Sequence, residues 1–143
     1  MENLFTAEML EFITLQRVGR LGTLDRNGWP NLVPVCFVYD GVSFYIAIDQ
    51  KPKRLTPLKL KRVRNILDNP KVGLIFDHYE ESWDRLGFVA IQGVAQILTE
   101  NFDRSAVLRL LAAKYPQYRN MDLRYDPIIQ VNVEKFTSWG VFK

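Results

Sequence analysis

Cysteine occurs once in these 143 residues, at position 36, and histidine once, at position 78. A disulfide framework needs cysteines in pairs and a cysteine-rich zinc site needs several thiolates at set spacings, so the chain can build neither by itself. A lone imidazole likewise argues against a catalytic triad or a two-histidine metal centre. The group Asp77, His78, Glu80 and Glu81 has ligand-type residues but no second histidine, and a metal site is not expected there. Cys36 stands in an apolar, strand-like run, which reads as a buried, inert thiol.

Long apolar runs are also missing. The stretch Val33 to Val38, broken by Pro34, is far short of the roughly 20 residues that span a bilayer, so no membrane association is expected. The opening Met1-Glu2-Asn3-Leu4 has no basic stretch leading into an apolar core, and a cytoplasmic protein is the expectation. Repeats, low-complexity segments and Ser/Gly/Pro-rich linkers are absent, and the length suits one domain over 1–143. The glycines never approach dinucleotide-loop or Walker spacing, which disfavours a Rossmann fold.

What the chain does have is short strands between strong turn signals. Thr6 is placed to cap a first helix with an apolar stripe of Met9, Leu10, Phe12 and Ile13, ending near Gln16. Arg17 to Leu24 and Pro30 to Tyr39 read as strands joined through Asp25-Arg26-Asn27-Gly28, because Asn-Gly accepts positive φ. A turn at Asp40-Gly41 leads to a strand over Ser43 to Ile48. Leu58, Leu60, Val63, Ile66 and Leu67 recur at helical spacing until Asn69-Pro70. Val72 to His78 and Leu86 to Leu98 read as strands, the second with Gly93 inside it. A helix over Phe102 to Lys114, an irregular connection over 116–127 and a last strand from Ile128 complete the chain. Gly19, Gly22 and Gly93 suit either bulges or close approach by a ligand. The expected architecture is α+β: a six-stranded antiparallel split β-barrel with short flanking helices.

Net charge is only +3, but Lys51, Lys53, Arg54, Lys59, Lys61, Arg62 and Arg64 fall together with no acidic residue among them. Such a field attracts an anion. The cluster straddles the start of the second helix, where backbone N–H groups and basic side chains together hold phosphate. A solvated helix face explains the same residues. Nucleic acid is not the expected partner, because no exposed aromatics interleave with the cations.

In order along the chain, Arg20-Leu21-Gly22-Thr23, Asp25 to Pro30, Leu32-Val33-Pro34-Val35, Lys61-Arg62-Val63-Arg64-Asn65-Ile66, Asn69-Pro70-Lys71-Val72, Trp83-Asp84-Arg85-Leu86, Gly93 and Trp139-Gly140 resemble the pyridoxamine 5′-phosphate oxidase-like split-barrel flavoproteins. The likeness is to the deazaflavin branch in particular. The resemblance implies an oxidoreductase that moves a hydride between FMN or the deazaflavin coenzyme F-420 and a small-molecule substrate. It also implies a homodimer with the cofactor at the subunit interface. Lys61 and Arg62 would then contact the phosphate, with Lys53 and Arg64 nearby. Val33, Pro34, Val35, Ile48 and Asp49 would border the ring, and Trp139 would reach it from the partner subunit. True pyridoxamine phosphate oxidases carry an arginine-containing C-terminal motif, whereas this sequence finishes Val141-Phe142-Lys143, so vitamin B6 oxidation is not expected. The family also has haem-binding and non-catalytic members, which is the alternative reading.

Overall fold

The computed structural model describes residues 4–48, 60–100 and 102–140. Helix α1 (Ala7–Leu15) starts where expected: the Thr6 hydroxyl accepts a hydrogen bond from the Met9 N–H at 3.2 Å, and Gln16 closes the helix. It is followed by β1 (Gly19–Leu24), β2 (Pro30–Val35), a two-residue β3 (Val38–Tyr39) and β4 (Ser43–Ala47). Then come α2 (Lys61–Asp68), β5 (Lys71–His78), β6 (Gly87–Leu98), α3 (Ser105–Lys114) and β7 (Ile128–Gly140). Short 3-10 turns occupy Trp83–Arg85 and Pro116–Asn120.

Turn chemistry fixes the hairpins. Gly28 has φ +81°, and one Asp25 carboxylate oxygen accepts from the N–H groups of Asn27 and Trp29, each at 2.9 Å. Gly41 has φ +100°, with Asp40 accepting from Val42 and Ser43 at 2.8 Å.

All seven strands join one antiparallel sheet in the order β2-β1-β5-β6-β7-β4-β3. The expected count of six is corrected to seven, because Pro30 to Tyr39 is two strands. It breaks at Cys36 and Phe37. This break closes the barrel. β2 and β3 lie at opposite ends of the sheet order, yet Val35 and Val38 are three residue steps apart and so no more than about 11 Å distant. The sheet must curl until its two edges nearly meet.

Inside the curl, Phe37, Phe44 and Phe76 pack ring on ring, with centroids 4.4 Å (Phe37–Phe76) and 5.1 Å (Phe44–Phe76) apart. Phe5, Met9 and Ile13 bring α1 onto this core. β4 is buried on both faces: Phe44 and Ile46 point into the barrel, while Tyr45 and Ala47 pack under α3 with Val107, Leu111 and Tyr115. β6 and β7 form the long spine, with a register shift at Gln92/Gly93. A Cβ on Gly93 would stand 2.6 Å from the Asn132 carbonyl oxygen and 2.8 Å from Val131 Cγ1, so the glycine is there for a bulge and close backbone packing.

Candidate functional site: a groove on the outer sheet face

Strand alternation sends Leu21 and Thr23 of β1 inward and Arg20, Gly22 and Leu24 outward. Register then lines up outward residues across the sheet. Pro34, Arg20, Ile75, Ala90 and Thr137 form one row, and Leu32, Gly22, Gly73, Gln92 and Lys135 the next. Two adjacent glycines leave a trough in the second row. The result is a groove of about 780 Å³ that includes Arg20, Gly22, Leu32, Pro34, Gly73 and Gln92. A Cβ on Gly73 would meet nothing closer than the Ile91 carbonyl oxygen at 3.8 Å, so the space above it is not required by the protein's own packing.

At one end the groove shares Arg20 and Ile75 with a cavity of about 380 Å³ lined by Asp77, His78, Tyr79, Phe88 and Trp139. Trp139 and Phe88 are cross-strand partners whose rings lie 25° from parallel, 6.4 Å apart. Arg20 pairs with Asp77 at 2.6 Å, and His78 Nε2 lies 2.9 Å from Glu80. At the other end it shares Gly22, Gly73 and Gln92 with a cavity of about 640 Å³ that reaches Leu24 and Pro30.

Next along the chain from Leu24 is Asp25, which opens a polar pocket of about 360 Å³ between the β1–β2 hairpin and α2. Lys61 and Arg64 line it. Val63 and Ile66 anchor α2 in the core, and the buried Asn65 amide donates to the Thr23 hydroxyl at 2.9 Å. Leu60, at the N-cap position of α2, makes no side-chain capping hydrogen bond. Two carboxylates oppose the cations. Arg26 grips Asp68 with bonds of 2.8 and 3.3 Å, and Lys61 Nζ is 3.7 Å from Asp25. The Trp29 N–H, with the Asn27 N–H and Lys61 adding to it, holds the Asp25 carboxyl below its usual range. Arg26 does the same to Asp68.

The expected site residues therefore separate. Lys61 and Arg64 line the polar pocket, with the half-buried Arg62 on the same helix. Val33 and Pro34 line the groove, and Trp139 the aromatic end. Val35 and Ile48 are 7% and 1% exposed and belong to the barrel core. Alternation is the reason, since Pro34 faces out and its neighbour faces in. Asp49 and Lys53 lie outside the described residues. Arg20, Gly73, Gln92 and the opposing carboxylates Asp25 and Asp68 went unread, although the period of two in β1 and β5 already set Arg20, Gly22 and Gly73 on one face.

The pyridoxamine 5′-phosphate oxidase family model matches residues 5–140. The chain belongs to this family. Solved structures of similar fold include a conserved hypothetical protein of Mycobacterium tuberculosis, 21% identical, covering 96% of this chain and 85% of that one with a TM-score of 0.74. The haem storage protein HutZ of Vibrio cholerae is 16% identical over 98% of this chain and 95% of its own, with a TM-score of 0.70. A FAD-binding protein of Mesorhizobium loti is 17% identical over 94% and 92%, with a TM-score of 0.67. At these identities the likeness is one of fold. No curated protein matches the sequence. Among the described residues no helix is long and apolar enough to cross a membrane, and no three His, Cys, Asp or Glu side chains are grouped to hold a metal ion.

Proposed function

We propose that the chain binds FMN or the deazaflavin coenzyme F-420 along the outer groove and serves a hydride-transferring oxidoreductase in the cytoplasm, as a homodimer with the cofactor between the subunits. The observation that carries this reading is the order of the track: a helix start with Lys61 and Arg64, then a glycine-floored apolar groove, then the Phe88–Trp139 ring pair. Phosphate suits the first part and a planar ring the other two. Three cations against two carboxylates line the polar pocket, so an incoming phosphate displaces Asp25 from Lys61 rather than filling a purely positive cradle. Exposed Leu32 (73%) and Trp139 (57%) leave the face bare, which supports cover by a second subunit.

A flavin or deazaflavin, when bound, supplies the hydride chemistry. Lys61, Arg62 and Arg64 would neutralise its phosphate, while Gly22 and Gly73 let the ring approach the backbone. Phe88 and Trp139 would stack on it and exclude water. The surplus cations of the basic segment favour the longer anionic tail of the deazaflavin coenzyme over FMN.

The test is titration of the purified protein with each cofactor, followed in the visible spectrum, for wild type and for the Lys61→Ala, Arg62→Ala double variant. The expected result is binding that weakens at least tenfold in the variant at an unchanged melting temperature, with the steeper salt dependence for the deazaflavin. Unchanged affinity in the variant would refute the assignment. Haem is the second reading, favoured by His78 with Glu80 beside it in the aromatic cavity. Haemin in place of flavin, giving a Soret band that His78→Ala abolishes, would move the conclusion to that reading.

A further inference from the structure

Away from the groove, at the seam where β2 passes into β3, a second group of residues has no part in the proposed function. Lys114 ends α3 and its Nζ lies 3.6 Å from the centroid of Phe37 and 5.3 Å from that of Tyr115. The Arg17 guanidinium lies over the Tyr115 ring at 4.8 Å and donates through one nitrogen to the Lys114 carbonyl oxygen at 2.5 Å. Arg17 as a whole is exposed. Tyr115 is fixed: its hydroxyl accepts from the Phe37 N–H at 3.1 Å and lies 2.9 Å from the Arg17 carbonyl oxygen. Among the described residues neither Lys114 nor Arg17 has a carboxylate partner.

Part of this has a simple structural cause, since cations gather at helix C-termini and Arg17 caps one carbonyl there. That cause does not need an amine half-buried on an aromatic face with a second positive charge beside it. Burial, and then the Arg17 charge, push the Lys114 ammonium down to about 8, with nearby Cys36 acting weakly the other way. A neutral amine next to a guanidinium with no carboxylate partner among the described residues is a nucleophile beside an anion holder.

We propose that Lys114 is a carbonyl-reactive amine that takes an aldehyde bearing an anionic group as an imine, with Arg17 pairing the anion. The neutral amine adds to the carbonyl carbon, both amine hydrogens leave with the carbonyl oxygen as water, and the C=N bond takes the place of C=O. No oxidant or reductant is consumed. Arg17 selects the anionic aldehyde over a neutral one of similar size.

The experiment is reductive trapping with cyanoborohydride, using glyoxylate as the anionic aldehyde and acetaldehyde as the neutral one, with peptide mass spectrometry to rank all eight lysines. At pH 8 an amine titrating near 8 is about half neutral, against roughly 0.3% for an amine at the ordinary value. Crowding by Phe37 and Tyr115 reduces that advantage, and the expected result is trapping at Lys114 about tenfold faster than at exposed Lys71 or Lys135. Arg17→Gln is expected to bring the glyoxylate-to-acetaldehyde ratio at Lys114 down to about one. Lys114→Arg keeps the cation over Phe37 and serves as the folded control that lacks the label. Equal trapping rates across the lysines would overturn the proposal, and an unchanged ratio in Arg17→Gln would overturn the role of Arg17. Flavin binding is not part of the readout, so this result and the cofactor assignment stand or fall separately.

Discussion

Replacing Gly73 by leucine should block ligand binding while leaving the barrel intact. A side chain at this position grows into the groove, and its Cβ meets only the Ile91 carbonyl oxygen at an ordinary 3.8 Å. The fold should therefore not resist it, and losing a glycine from a strand removes unfolded-state freedom worth up to about 1 kcal/mol. A flavin-sized ring covers roughly 150–250 Å² of apolar surface, a gross gain of about 4–6 kcal/mol at 25 cal/mol per Å². Lifting the ring off its glycine floor forfeits a third to a half of that, about 2 kcal/mol or roughly 30-fold in affinity. Titration with FMN or the deazaflavin reads the affinity, and thermal melting reads the fold. Gly93→Ala is the counterpart on the neighbouring strand. Its Cβ would run into the Asn132 carbonyl oxygen at 2.6 Å, so it should destabilise by about 2 kcal/mol or more through backbone displacement. If Gly73→Leu binds cofactor as wild type does, the ring does not lie in this groove. If it unfolds as readily as Gly93→Ala, the groove is not spare space.

Two further predictions concern the barrel seam. Tyr115→Phe leaves the Phe37 N–H without its 3.1 Å partner in a buried position, and urea denaturation should show a loss of about 1–3 kcal/mol. Burial depresses the Lys114 ammonium to about 8, so above that pH the unfolded chain binds the extra proton and stability rises with pH until the ordinary lysine range. Burial pushes the Tyr115 phenol up to about 12, a contribution complete below its ordinary value near 10 and lost as pH climbs towards 12. The clean window is therefore pH 8 to 10, where the urea midpoint should rise in wild type relative to Lys114→Met. Parallel pH profiles for the two proteins would show that Lys114 is not desolvated.

How far the sequence could be read follows the range of each interaction. Thr6 capping α1, the Asp25 to Gly28 turn and the Asp40-Gly41 turn are contacts within four residues, and the residue types fix them wherever the chain goes. Val35 and Ile48, which the resemblance places at the ring border, are buried in the barrel core, a placement that depends on which face of the curled sheet each side chain takes. The basic segment showed its charge but not the carboxylate facing Lys61, since Asp25 meets that lysine only when the hairpin folds against α2.

By itself, then, the sequence determined strands, caps, turns and the positive helix start, all set by side chains acting on nearby backbone. Tertiary structure decided the rest. Only register could set Gly22 beside Gly73 to open a trough, and only curling of the sheet could bring β2 and β3 together across Cys36 and Phe37. Both depend on hydrogen bonds between residues some fifty positions apart or more, for which no local residue type carries a signal.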